Sequence, residues 1–247
     1  MHPNIIIGDV MVSSWYMMLI VGVVISTMLA VLLRPRDFPL ARIEILFAAI
    51  MMIAGGLFGA RLLFILLHWN ALGFRPSDLF STSGGFAYFG SLAISIPLLW
   101  AYSLARRVSL LSLLDYGMPF LMLSQVFVRI GCFMAGCCHG KPTAMYFGVV
   151  FKVAGNMPRH PTQIYEAILL AAICFIGRSI YRKKSHEKGY TFFTSLAMYA
   201  GGRFIIESLR VDSPMLFLNL TLAQIACLGL VVLSVFAMDF VRRRVLE

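Results

Sequence analysis

Charged residues are scarce in this sequence, and acidic ones are scarcest. Only 13% of its 247 residues are charged, with 11 Asp and Glu against 21 Lys and Arg, whereas 60% are hydrophobic. Soluble domains carry about 25% charged residues, so this composition excludes an ordinary soluble globular protein. The sequence also lacks low-complexity segments, internal repeats and long polar linkers. We therefore expect a single domain over residues 1–247.

Long apolar runs take up most of the chain. A helix that crosses the hydrocarbon layer needs about 20 mostly apolar residues. Seven runs approach that length: 14–33, 45–67, 86–104, 111–133, 162–181, 190–208 and 219–240. They predict an all-α integral membrane protein with seven transmembrane helices. No Lys or Arg precedes the first run, so it lacks the basic region of a cleavable signal and is expected to be retained.

The basic residues indicate the orientation in the membrane. Thirteen of the 21 fall in alternate connections: Arg34, Arg36, Arg42, Arg106, Arg107, Arg178, Arg182, Lys183, Lys184, Lys188, Arg242, Arg243 and Arg244. Cytoplasmic connections are rich in Lys and Arg, so the N-terminus is expected outside and the C-terminus in the cytoplasm. The net charge of +10 then reflects topology and attraction to anionic membrane lipid, and nucleic acid is not an expected partner. The longest connections, 68–85 and 134–161, are expected outside, where they can form small interfacial elements.

Eight basic residues are not explained by topology: Arg61, Arg75, Arg129, Lys141, Lys152, Arg159, Arg203 and Arg210. An ionisable group within a span indicates a functional site unless it is merely paired. In RFIIESLR, Arg203, Glu207 and Arg210 are spaced to share one helical face, so pairing is one interpretation of Glu207. The arginines still outnumber their acidic partners, and an arginine fork suits phosphate. The nearest anion at the outer leaflet is a phospholipid headgroup.

The stretch RIGCFMAGCCHGKPT, from Arg129 to Thr143, contains three of the five cysteines. Its C-x4-C-C-H spacing differs from the paired C-x2-C of zinc sites and from the C-x-x-C of redox centres. A metal site at Cys132, Cys137, Cys138 and His139, a redox site, a disulfide and simple packing thiols all remain open. The glycines Gly131, Gly136 and Gly140 predict a helix that breaks into tight turns. Such a break exposes backbone N–H groups beside Arg129, which suits an anion pocket.

These segments together resemble the bacterial prolipoprotein diacylglyceryl transferases. The family signature G-R-x-G-N-F-x-N-x-E-x-x-G corresponds to VRIGCFMAGCCHG, in which Arg129, Gly131, Phe133 and Gly140 match. Further similar segments follow in order: SWY at 14–16, GGLFGARLLF with Arg61 and Phe64, GGFAYFG at 84–90, LDYGMP with Asp115, RHPTQIYEA at 159–167 and GGRFIIESLR at 201–210. The resemblance extends over nearly the whole chain.

The resemblance implies an enzyme of the bacterial inner membrane, acting at its outer side. It would transfer the diacylglyceryl group of phosphatidylglycerol to the lipobox cysteine of a prolipoprotein and release glycerol phosphate. Arg129 and Arg203 would be catalytic and bind the phosphate. The resemblance implies no metal and no organic cofactor. The implied substrate-binding residues are Tyr16, Arg61, Gly140, Gln163, Tyr165, Glu166, Glu207 and Arg210.

Four departures from the family concern polar residues. Cys132, Ala135 and Cys137 stand where the signature has Asn, Asn and Glu, and Phe89 stands where many members have a histidine. His139 and His160 are the alternatives for a base. Two other functions remain open: a related transferase with a different acceptor, and a lipid-binding or transport protein without chemistry.

Overall fold

The computed structural model describes residues 4–7, 10–69, 87–183, 187–211, 215–217 and 219–246. Within this part of the chain there are seven α-helices, which we number in chain order: α1 Ser14–Leu32, α2 Arg42–Leu67, α3 Tyr88–Ala105, α4 Leu110–Ala135, α5 Thr162–Lys183, α6 Tyr190–Glu207 and α7 Leu222–Leu246. Each helix coincides with one predicted apolar run. The predicted all-α class is therefore confirmed.

Five of the helices are long and apolar enough to cross a membrane: Ser14–Leu32, Arg42–Leu67, Leu110–Ala135, Thr162–Lys183 and the Leu222–Arg242 part of α7. Helix α3 contains a shorter apolar stretch, Phe89–Ala105. The distribution of side chains agrees with a lipid environment. Phe175 and Phe236 are 75% and 70% exposed, whereas Glu166 and Gln163 are fully buried. In water-soluble proteins, phenylalanine is usually buried and glutamate and glutamine are usually exposed.

Three short antiparallel hairpins accompany the helices. Strands β1 Asn4–Ile7 and β2 Val10–Ser13 precede α1, and β5 Met215–Phe217 and β6 Leu220–Thr221 precede α7. Between α4 and α5, β3 Val149–Val150 pairs with β4 Pro158–Arg159, and a 3-10 turn, Lys152–Ala154, lies between them. The predicted small elements of residues 134–161 are thus present. Nearly all of the other long connection, 68–85, lies outside the described residues.

The chain divides into two compact units, and the first comprises Met1–Leu29 and Leu114–Glu247. Its core contains Met118 and Met122 of α4 packed with Leu170 and Ile173 of α5, and partly buried side chains of α6 cover them. Helix α1 packs closely on α4, because a Cβ added at Gly131 would lie 2.9 Å from the Cβ of Met18. These contacts bring α1, α4, α5 and α6 together around the charged residues described below.

The second unit, Ala30–Leu113, contains α2 and α3. Two contacts fix these helices as an antiparallel pair: the Ser95 hydroxyl donates to the Met52 carbonyl, and the Tyr102 hydroxyl donates to the Glu44 carbonyl. The Ala87 N–H, at the start of α3, donates to the Ala60 carbonyl. The predicted site residue Arg61 belongs to this unit.

Candidate functional site

Glu166 is the centre of a buried charge network. Its Oε1 lies 2.8 Å from Nη2 of Arg129, and its Oε2 lies 3.1 Å from Nη1 of Arg203. The Tyr199 hydroxyl donates to Oε1 over 3.4 Å. Three helices meet here, since Arg129 is on α4, Glu166 on α5 and Arg203 on α6. The carboxylate of Glu166 therefore holds two guanidinium groups at a fixed separation.

The network continues along α6 with the predicted helical spacing. Arg203 Nη2 lies 2.6 Å from Oε2 of Glu207, and Arg210 Nε lies 3.8 Å from the same oxygen. Three arginines and two glutamates are thus linked, which leaves one positive charge in excess. In addition, Nε of Arg129 is buried and has no hydrogen-bond partner among the described residues. A buried donor without an acceptor is costly, so the network is suited to an added anion.

The three cysteines of the signature region are brought together where α4 ends. The Gly136 N–H donates to the Phe133 carbonyl and the Cys137 N–H to the Cys132 carbonyl, with Gly136 at φ 76°. These two bonds form a Schellman motif, which places the residue after the glycine beside the residue five positions earlier. The Sγ atoms of Cys132, Cys137 and Cys138 all lie within 4.8 Å of one another. All five cysteines of the chain are free thiols.

Cys138 has an unusual backbone and an unusual thiol. Its φ of 62° is rare for a residue other than glycine. Hydrogen bonds from the Cys132 and Cys137 thiols are the main cause that lowers the pKa of the Cys138 thiol. Burial opposes this lowering, and the positive charge of Arg210 adds to it. The cysteine cluster, Cys132, Cys137 and Cys138, therefore adjoins the Arg210 end of the charge network.

The chain after the cluster packs against the end of α6. The Gly140 N–H donates to the His160 carbonyl, and the Lys141 N–H donates to the Leu209 carbonyl. A Cβ at Gly140 would lie 2.7 Å from the Leu209 carbonyl oxygen and 2.8 Å from the His160 Cβ. Only glycine fits where these three segments meet, so the match of Gly140 to the signature has a structural reason.

Two further predicted residues lie in the first turn of α5. Gln163 is fully buried, and its Nε2 donates to the Cys137 carbonyl over 2.5 Å. The Tyr165 hydroxyl lies 3.2 Å from Nδ1 of His160. Of the two histidines considered as a base, His160 thus pairs with Tyr165, while the ring of His139 packs against Phe151. Gln163 is joined to the cysteine cluster and Tyr165 to His160.

The remaining predicted residues are not part of the ion pairs described above. Tyr16 lies in the first turn of α1, and its ring contacts the edge of Trp15. Arg61 is buried in the second unit, where its guanidinium lies 5.6 Å from the centre of the Phe64 ring. Phe89, also in that unit, is 74% exposed. The proposed roles of Tyr16 and Arg61 stay predictions.

Sequence reasoning missed two residues that support the site. Tyr199 lies four residues before Arg203, which places both on one face of α6, so this spacing was a usable signal for the contact with Glu166. Thr162 is fully buried, and its hydroxyl donates to the Cys138 carbonyl over 2.7 Å. Nothing local in the sequence indicates that contact, because it joins residues 24 positions apart.

Comparisons with known proteins give a consistent result. The family model for prolipoprotein diacylglyceryl transferase matches residues 4–239. The phosphatidylglycerol-prolipoprotein diacylglyceryl transferase of Clostridium tetani is 32% identical over 200 residues, which cover 79% of this chain and 80% of that protein. A second enzyme of that name in Clostridium perfringens is 32% identical over 222 residues, or 85% and 84% of the two chains. The Clostridioides difficile enzyme is 31% identical over 207 residues, or 82% and 80%.

Proposed function

Since the chain belongs to the prolipoprotein diacylglyceryl transferase family, we propose that it transfers the diacylglyceryl group of phosphatidylglycerol to the lipobox cysteine of a prolipoprotein. The cysteine thiol loses its proton to water, and its sulfur forms a bond to the terminal glycerol carbon of the diacylglyceryl group. The bond from that carbon to the phosphate oxygen breaks, and glycerol phosphate leaves with the electron pair. The product is a thioether in a membrane-anchored lipoprotein.

The observation that carries this proposal is the arrangement of Arg129 and Arg203 around Glu166. Two partly buried guanidinium groups lie on either side of one carboxylate, and the network they belong to has one positive charge in excess. A phosphodiester carries one negative charge and matches the planar guanidinium fork. The lipid phosphate can therefore engage the same donors that the carboxylate holds in place.

In the reaction, the same two arginines stabilise the leaving group. Negative charge increases on the phosphate as the carbon–oxygen bond breaks, and fixed donors aimed at that charge lower the barrier. Removal of one such donor typically slows the reaction by about 100- to 1,000-fold. Glu166 positions the donors beforehand, so they need no reorganisation at the moment of bond cleavage.

The other site residues are proposed to complete the lipid site. Glu207 and Arg210 orient Arg203 through the ion pairs along α6. The remaining residues of the first unit line the headgroup pocket: Tyr16, Gly140, Gln163 and Tyr165. Arg61, in the second unit, is also proposed to bind substrate.

We further propose that all seven helices cross the cytoplasmic membrane of a bacterium as one polytopic domain over residues 1–247. The N-terminus lies outside and the C-terminus in the cytoplasm, as the basic connections favour. The connection between α4 and α5, which carries the cysteine cluster, then faces the outer side, where a secreted prolipoprotein is accessible.

Reconstitution tests the proposed function. The purified protein, phosphatidylglycerol and a lipobox peptide should yield glycerol phosphate and modified peptide together. Arg129→Ala and Arg203→Ala should each lose nearly all release, whereas Arg182→Ala should retain it, since Arg182 is exposed at the opposite end of α5. Full activity of both site variants would refute the proposal.

A further inference from the structure

The cysteine cluster is not used by the phosphate site. Its three thiols come from a stretch of seven residues, yet they converge to within 4.8 Å. The C-x4-C-C spacing alone argues against a shared metal, because neighbouring side chains usually diverge. In this structure the Schellman motif folds Cys137 back over Cys132, and the left-handed backbone of Cys138 turns the third thiol towards the other two.

The surroundings hold this conformation in place. The carbonyl of Cys137 accepts from Gln163 Nε2, and the carbonyl of Cys138 accepts from the Thr162 hydroxyl. Both donors are fully buried in the first turn of α5. A rare backbone conformation persists only where the surrounding structure fixes it, and such positions concentrate at functional sites. The cluster is thus preorganised and does not depend on a flexible loop.

We propose that Cys132, Cys137 and Cys138 bind one soft divalent cation, of the Zn²⁺ type, through their three sulfur atoms. Zinc–sulfur bonds are about 2.3 Å long, which places tetrahedral ligand sulfurs about 3.8 Å apart. The observed separations need to close by no more than about 1 Å to reach this geometry. Arg210 is hydrogen-bonded to Cys138 and interacts with its charge, so it offsets part of the negative charge of three thiolates.

Three protein ligands leave the fourth tetrahedral position open, as in catalytic zinc sites. Cys132 is buried, but Cys137 is exposed and Cys138 partly so, so the open position is accessible from outside the helices. The ligand that fits it is a further thiol, because a soft cation prefers sulfur.

This assignment rests on the proposed function, which supplies such a thiol in the lipobox cysteine. A thiol that coordinates the cation loses its proton to water and becomes a thiolate. That thiolate then attacks the glycerol carbon, and the electron pair of the broken bond leaves with glycerol phosphate. The cation is neither oxidised nor reduced.

Cobalt titration of the full-length protein tests the site. The protein, with its affinity tag removed, is reduced, freed of metal and titrated with Co²⁺ as a spectroscopic probe. We expect one equivalent to bind with sulfur-to-cobalt charge transfer and the strong visible bands of a tetrahedral site. Cys138→Ser should weaken binding more than ten-fold, whereas Cys174→Ser should not change it, because Cys174 lies within α5 outside the cluster. Equal Co²⁺ affinities of the two variants would overturn the proposed metal site.

The oxidation state gives a second decisive result. Mass spectrometry of protein purified without reductant should show three free thiols in the cluster. A disulfide between any two of them would overturn the proposal, as would a reduced wild-type protein with three reactive thiols that binds no Co²⁺.

The acceptor role has its own readout. A lipobox peptide should shift the visible bands of the cobalt protein, and the same peptide with Ser in place of its Cys should not. An unchanged spectrum with the Cys peptide would contradict the acceptor role. A shifted spectrum without any peptide modification would instead contradict the proposed transferase reaction. Metal-free protein that transfers the diacylglyceryl group at the full rate would contradict only the role of the cation.

Discussion

Arg129 and Glu166 form an ion pair of 2.8 Å although they lie on different helices and 37 positions apart in the sequence. Glu166 is fully buried, and it also pairs with Arg203. The carboxylate thus holds in place the two guanidinium groups that are proposed to bind the lipid phosphate.

Glu166→Gln should destabilise the protein strongly. The substitution keeps the side-chain shape but leaves two partly buried arginines without their shared charge, and loss of one partner of a buried ion pair costs roughly 3–5 kcal/mol. Phosphatidylglycerol should raise the Tm of this variant by more than it raises that of the wild type, because the lipid phosphate replaces the lost charge. Thermal unfolding in detergent measures both effects.

The matched control is Glu44→Gln. Glu44 pairs with Arg106 at the surface, and exposed pairs contribute at most about 1 kcal/mol. The Tm of Glu44→Gln should be close to that of the wild type, and phosphatidylglycerol should raise both Tm values equally. Equal losses in the two variants would show that Glu166 is not the centre of a buried network.

Arg203→Lys should inactivate the enzyme almost as fully as Arg203→Ala. Arg203 contacts Glu166 through Nη1 and Glu207 through Nη2, and a lysine has one point-like charge that cannot reproduce this two-sided contact. We expect a loss of about 100-fold or more in the rate of glycerol phosphate release. Arg182→Lys should retain the wild-type rate. A lysine variant with near-normal activity would mean that charge alone is sufficient at this position.

Asp115→Asn should reduce stability without changing the chemistry. Asp115 accepts the backbone N–H groups of Gly189 and Phe192 at the start of α6, with distances of 2.6 and 2.8 Å. Loss of such a cap costs about 1–2 kcal/mol. The Tm should fall, while the transfer rate of the folded fraction stays unchanged. A large fall in that rate would place Asp115 in the reaction.

Thr162→Val should weaken the cysteine cluster. The Thr162 hydroxyl supports the turn through the Cys138 carbonyl, and loss of a supporting contact around a metal site typically lowers affinity by about 10- to 100-fold. Thr191→Val is the control, because Thr191 is equally buried but lies in α6. Cobalt titration should separate the two variants. Similar affinities would indicate that the turn does not need this hydrogen bond.

The helices were predictable from sequence because the length and hydropathy of a span are local properties. The pairing of Arg203 with Glu207 was predictable for the same reason, since it follows from helical spacing. The contact of Glu166 with Arg129 depends on how α4 and α5 pack, and no local pattern contains that information. Asp115 shows the same limit: its sequence position groups it with the intramembrane acids, yet it caps α6, whose own N-cap residue, Gly189, has no side chain for this purpose.

Mass spectrometry of a lipobox peptide incubated with the purified protein and phosphatidylglycerol tests the central claim most directly. We predict a mass increase of one diacylglyceryl group on the cysteine sulfur, absent with Arg129→Ala and present with Arg182→Ala. Release of glycerol phosphate without peptide modification would point to another acceptor. If a folded wild-type protein binds the lipid but shows no glycerol phosphate release and no peptide modification, the account is contradicted. That result would favour a lipid-binding protein without chemistry.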